Sequence, residues 1–211
     1  MIKLIIKYSP EYEVERVKGA LGRLPWYKDN GYDVKLPEGI VVNPNTNFSE
    51  DQVKDFVNKE FNENDFKIQE AYLLENWRNV IDEASVEITK TPLTPRDTYI
   101  VYMTKYGVGG SYHYPDSVIV NIKCKYGKGL LRTVFHEMVH LMIEPWIVEY
   151  KVGHWQKERI VDLLITKSVP QISRPQQIPV EIADPVDKIF NEHYPNIELI
   201  IKNVGLLSYK K

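Results

Sequence analysis

At residues 133–142 the chain reads Thr133-Val134-Phe135-His136-Glu137-Met138-Val139-His140-Leu141-Met142. His136 and His140 are four residues apart, so on a helix both imidazoles leave the same face. Two imidazoles so placed can hold a zinc ion. Glu137, beside the first of them, can reach a water on the metal's open side and take its proton. Val134, Phe135, Met138, Val139, Leu141 and Met142 are apolar, and Glu137 is the only charged residue of the run. Such a helix is buried on most of its faces, where three ionisable groups are costly unless something pairs them. The pattern predicts a metal-binding helix rather than a core helix that happens to contain two histidines.

Catalytic zinc usually takes three protein ligands and keeps a position open for water. The metzincin arrangement needs a Gly and then a His after the second histidine of the motif. Ile143 and Trp146 stand at those positions, which excludes it. Glu158 lies eighteen residues beyond His140, within Trp155-Gln156-Lys157-Glu158-Arg159-Ile160-Val161-Asp162-Leu163-Leu164. Glu158 and Asp162 share one helical face at i,i+4, while Ile160, Val161, Leu163 and Leu164 supply packing. Glu158 can therefore point at the metal, and Asp162 can accept a hydrogen bond from a ligating imidazole. His154 could take the third position instead, and spacing alone leaves both open.

An HExxH helix followed by a second helix carrying ExxxD resembles the gluzincin metallopeptidases, the thermolysin-like clan, and in size the minigluzincins. The resemblance covers residues 98–168, about a third of the chain. It implies an α+β, zincin-like catalytic domain with a small mixed sheet, a backing helix, the HExxH active-site helix and a glutamate helix. It implies one Zn2+ per chain on His136, His140 and Glu158, with Glu137 as general base and acid and Asp162 orienting His136. The implied activity is that of a zinc-dependent endopeptidase acting on peptide or protein substrates. In this clan an edge strand pairs with the substrate, which makes Gly110, Ser111, Tyr112 and His113 the expected substrate-binding edge. No motif identifies a transition-state stabiliser, and Tyr150 and His154 are candidates by proximity. The alternative is a non-catalytic or latent zincin-fold protein that uses the site for stability or partner binding.

The elements that must position these residues are readable from pattern. Tyr99–Met103 is β-branched and aromatic and reads as a strand; a glycine-rich stretch, a Pro115-Asp116 turn and the strand 117–122 follow. The zinc helix is expected to begin near Leu130 and to end or kink at Pro145. Upstream come a strand at 2–8, a helix at 10–22 and an irregular region at 25–48. Ser49 with Gln52 forms a capping box for a helix to about Phe61, with Phe48 stapled onto Val53. A longer amphipathic helix at 65–88 carries Phe66, Leu73, Trp77, Val80, Ile81 and Ala84 on one stripe. After the glutamate helix, Pro170, Pro175 and Pro179 read as an extended linker of about fifteen residues. A short helix is expected from Asp184-Pro185 and a last helical or extended segment at 196–204. The expected organisation is an N-terminal extension 1–62, a catalytic domain 63–168, and a linker with C-terminal tail 169–211.

With 211 residues, 43% of them apolar, the chain can bury one good core or two small ones. Its 27 basic and 29 acidic residues are well mixed, for a net charge of −2. No basic stripe points to nucleic acid and no apolar run approaches a membrane span. Met1–Lys7 reads as a strand rather than a signal peptide. Cys124 is the single cysteine and permits no intrachain disulfide, which suits a cytoplasmic protein. Composition leaves the oligomeric state open. Ile197, Leu199, Ile200, Ile201, Leu206 and Leu207 need a burial site, either behind the domain or in the substrate cleft, where the tail would keep an enzyme latent.

Overall fold

The computed structural model describes residues 2–41 and 48–207, so part of the irregular region and the end of the tail lie outside the described residues. Four strands form one mixed sheet in the order β1-β2-β4-β3, from β1 (Lys3–Lys7), β2 (Thr98–Thr104), β3 (Gly110–His113) and β4 (Ser117–Asn121). β1 and β4 both run parallel to β2, and β3 closes an antiparallel hairpin on β4, leaving β3 at the edge. The strand from the N-terminal extension is thus an outer member of the same sheet.

Period-two alternation assigns each strand residue to a face. Val101, Met103, Val118 and Val120 point into the main core, whereas Thr104 meets Glu13 of α1 (Pro10–Gly22) and Tyr102 packs edge-on against Tyr12 of the same helix. The register pairs Gly110 with Val120 and Tyr112 with Val118, so these two edge residues share the core face. Ser111 and His113 take the α1 face.

The main core is filled from helices that the sequence pattern located well. α4 (Glu63–Ile88) buries its expected stripe, and Trp77 donates its indole N–H to the Ile2 carbonyl. α3 (Glu50–Glu60) starts at the Ser49–Gln52 capping box, and its Val53 and Val57 join Val14, Val17, Ile40 and Tyr106 in a smaller second core that Phe48 covers. Within the irregular region a short helix, α2 (Leu24–Asp29), was not foreseen: Pro25 sits in its first turn, a position proline tolerates.

Two expectations about where proline bounds a helix are corrected. α5 (Lys128–Glu149) does not end at Pro145 but runs on through it. Proline removes the hydrogen bond to the Leu141 carbonyl, but Pro145 lies on the exposed side and buried Ile147 holds the last turn against the core. The chain reverses later, where Lys151 adopts φ 52° before α6 (His154–Ser168) begins. Helix α7 (Val180–His193) likewise begins before Asp184, with Pro185 inside its first turns rather than at its start.

The proline-rich segment is extended only in part. A 3-10 turn spans Pro170–Ile172, Ile172 is buried, and Ser173 hydrogen-bonds Thr166 at 2.7 Å. The tail then folds back as α7 and α8 (Ile197–Gly205), whose Val186, Phe190, Ile197, Ile200, Ile201 and Val204 belong to the main core. Of the tail residues expected to need burial, Ile197, Ile200 and Ile201 enter the domain interior and Leu207 packs against it, whereas Leu199 and Leu206 stay exposed; among the described residues none of the tail beyond Gln176 lines the cavity described next. Among the described residues no helix is long and apolar enough to cross a membrane.

Candidate metal centre

The apolar flanks noted in sequence bury the middle of α5, from Leu130 to Ile143, on most of its faces, and its polar face opens on a cavity of about 640 Å³. The walls are the β3 edge, α6 and the Arg23–Tyr32 segment, while α4 contributes nothing and lies behind. His136 Nε2 and His140 Nε2 are 3.1 Å apart. Glu158 of α6 completes the group: its Oε2 lies 3.2 Å from His136 Nε2 and its Oε1 3.3 Å from His140 Nε2.

Ligand atoms held about 2.0–2.1 Å from a tetrahedral zinc are about 3.3 Å from one another. The three donor residues form a triangle in which the two imidazole nitrogens are 3.1 Å apart and each meets a different oxygen of the Glu158 carboxylate, at 3.2 Å for His136 and 3.3 Å for His140. They fit a small cation bound by two imidazoles and a carboxylate, and these three residues make a group able to hold a metal ion. The donor chemistry suits zinc.

Electrostatics follow from burial. Glu158 is buried, which by itself favours its neutral form, yet His140 and His136 beside it hold the carboxyl well below its usual range. Burial pushes His140 down to about 4, leaving a neutral imidazole with a free lone pair. Burial also opposes charge on His136, but its hydrogen bond to Glu158 and the charges of Glu137, Glu158 and Asp162 outweigh that and raise it. His140 is held by stacking on Tyr112, with ring centroids 4.9 Å apart and planes 14° from parallel, while its Nδ1 is buried without a partner.

Glu137 lines the cavity beside the three donor residues. Burial pushes it up to about 7, against the pull of His136, Lys157 and Arg16. It sits against Gly110, where an added Cβ would fall 2.4 Å from Glu137 Oε1. The glycine is required by this close approach of edge strand to helix.

Asp162 stands behind His136, with Oδ1 3.8 Å from His136 Nδ1, too long for a hydrogen bond. Its Oδ2 accepts instead from the Gln176 backbone N–H at 2.6 Å. Gln176 also donates its side-chain amide to Glu158 Oε2 at 2.7 Å. The proline-rich segment therefore docks on the glutamate helix and orients the third donor, a role nothing in its composition announced.

Gly110, Ser111, Tyr112 and His113 all line the cavity. Tyr112 donates to Glu144 Oε2 at 2.7 Å and accepts from Lys157 Nζ at 2.8 Å, so the edge strand is tied to both helices. Of the two proximity candidates only His154 reaches the cavity, its Nδ1 3.9 Å from Glu158 Oε1. Tyr150 does not: its hydroxyl donates to Glu198 of α8, away from the cavity wall. Besides Gln176, sequence reading missed Tyr32. Its hydroxyl is 2.7 Å from His154 Nε2, and its ring stacks between Trp26 and Trp155. The only sequence signal was the aromatic richness of residues 26–32.

No family model matches this chain, and neither does any curated protein or solved structure.

Proposed function

We propose that the protein is a zinc-dependent endopeptidase of gluzincin type, with a zincin-like catalytic domain. The observation that carries this reading is the convergence of His136, His140 and Glu158 with a separate, buried Glu137 on a cavity bordered by an open strand edge. A fourth ionisable group that is not needed to close the donor triangle has no purpose in a site that serves stability alone.

A zinc ion in that triangle would supply a Lewis acid, able to polarise a water or a carbonyl oxygen. The chain's own residues account for the remainder. The edge of β3, unpaired among the described residues, can hold an extended peptide by backbone hydrogen bonds. Glu137, held near neutral pH by burial, can take a proton from the attacking water and return it to the leaving amine. Gly110 leaves room for that carboxylate directly below the bound strand. His154 and Tyr32 form a hydrogen-bonded pair at the cavity wall, and either could donate to an oxygen that gains charge as the carbonyl becomes tetrahedral.

The test has two readouts. Purified protein should carry one zinc per chain, lost in His136→Ala and Glu158→Ala and kept in His154→Ala. Glu137→Gln should keep the zinc and lose cleavage of a denatured protein substrate. Zinc retained in Glu158→Ala but lost in His154→Ala would replace the third ligand. Equal cleavage by wild type and Glu137→Gln would remove the catalytic assignment.

A further inference from the structure

The cavity around the donor triangle is rich in cations that have no carboxylate to pair with. Arg23, Lys125, Arg132 and Lys157 all line it, and none makes an ion pair with any described residue. Their partners are neutral where they exist: Lys157 donates to the Tyr112 hydroxyl, and Arg132 donates to the Arg174 carbonyl. Lys125 and Arg132 are half-buried together, and the stem of Lys125 lies against Gly109 at the start of the edge strand. Arg132 precedes His136 by one helical turn, so it faces the same way. At the other rim, Arg23 stands beside His113 and Arg16, which donates from Nε to the Tyr106 carbonyl while its buried Nη2 has no hydrogen-bond partner among the described residues.

Three carboxylates also line the cavity, and two are already engaged: Glu158 belongs to the donor triangle and Glu144 accepts from Tyr112. Glu137, buried against Gly110, faces Lys125, Lys157 and Arg16 without forming an ion pair with any of them. Asp162 faces Arg132 from beyond ion-pair range. The surplus is local, because the whole chain has a net charge of −2. Elsewhere lysines pair at the surface, as Lys54 and Lys67 do with Glu50 and Glu63 one turn away.

We infer that the cleft selects acidic peptides: Lys125 and Arg132 on one flank of the donor triangle, and Arg23 on the other, receive aspartate or glutamate side chains of an extended substrate lying along β3. This rests on the peptidase reading of the same site and names its substrate class. Partly exposed ion pairs contribute modestly one by one, so two or three together should shift affinity about tenfold. The preference should weaken as salt rises, since about 0.1 M ionic strength screens such charges within about 10 Å.

Binding can be read without turnover. Trp26 lines the cavity and Trp155 stacks on its wall, so intrinsic fluorescence of zinc-loaded Glu137→Gln protein reports occupancy. The probes are a short peptide with alternating Asp and Glu and its Asn/Gln counterpart of the same length. The acidic peptide should bind about tenfold tighter at low salt. Adding Lys125→Gln with Arg132→Gln should erase most of that difference while zinc content stays the same. Equal affinity for the two peptides, or no binding of either, overturns the inference. So does a preference that survives when Arg23→Gln is added to the doubly neutralised protein, because the metal and not the cleft would then be its source. Wild-type turnover separates the two readings. Neutral and acidic peptides cleaved at equal kcat/KM would refute the charge selection and leave the peptidase standing. Selective binding without any cleavage would do the reverse.

Discussion

Gly110 offers a sharp test of how the edge strand β3 and helix α5 cooperate. In Gly110→Ala the new Cβ would lie 2.4 Å from Glu137 Oε1 and 2.6 Å from Thr133 Cγ2. Real Cβ contacts stay beyond 3.0 Å, so each neighbour must retreat by at least 0.6 and 0.4 Å respectively, or β3 must lift off α5. Thr133 is fixed by its own bond to the Gly129 carbonyl at 2.9 Å, which leaves the Glu137 carboxylate as the softer partner. Overpacking of this kind costs about 1–3 kcal/mol of stability. Moving a proton-transfer group by somewhat under 1 Å costs on the order of 10²-fold in rate. The expectation is a variant that still binds one zinc, melts somewhat lower, and has kcat/KM reduced by about 10²-fold. Stopped-time peptide assays, zinc titration with a colorimetric chelator and thermal melts measure the three quantities separately. Adding Thr133→Ser removes the second clash and should restore stability more than activity. Wild-type kcat/KM in Gly110→Ala would refute the claim that the glycine makes room for Glu137. Loss of zinc together with activity would show instead that the strand props the donor triangle.

Further expectations follow from other contacts. Asp162→Asn should keep the fold but weaken zinc affinity by about 10–100-fold, as changes behind a ligating histidine do; unchanged affinity in a competition titration would mean Asp162 serves only to dock Gln176. Burial raises Glu13 from 4.5 to about 7 even though it accepts from Thr104 and Lys105. The folded state then holds a proton that the unfolded chain releases, so this contribution is complete below about pH 4.5 and is lost as pH rises to about 7, roughly 3 kcal/mol in all at ~1.4 kcal/mol per unit. Urea unfolding of wild type and Glu13→Gln should therefore diverge with pH in that window, and parallel curves would exclude a proton on Glu13. Truncation after Ser168 strips Val186, Phe190, Ile197, Ile200, Ile201 and Val204 from the main core. At about 1.5–3 kcal/mol each this exceeds the stability of a typical domain, so the product should be insoluble or unfolded. A soluble fragment with a cooperative melt would show that the tail is dispensable.

What was legible in the sequence was whatever depends on near neighbours along the chain. The i,i+4 spacings of His136 with His140 and of Glu158 with Asp162 survive any packing, because a helix alone places them on one face. The same holds for the Ser49–Gln52 capping box, the α4 stripe and the turn that folds β3 onto β4. Tertiary structure decided everything that joins distant segments. That β3 stands at the sheet edge depends on β1 and β4 claiming both sides of β2. That α5 survives Pro145 depends on the burial of Ile147, and a propensity argument cannot see that compensation. Tyr150 was near His140 in sequence yet turned toward α8, whereas Tyr32 reached His154 across 122 residues. Gln176 came back over the glutamate helix to bond Glu158 and Asp162 because Ile172 and the α7 and α8 residues after it found their burial in the same core. Helical periodicity is a local property of the backbone; which side chains meet across a cavity is settled by how the helices and sheet close-pack.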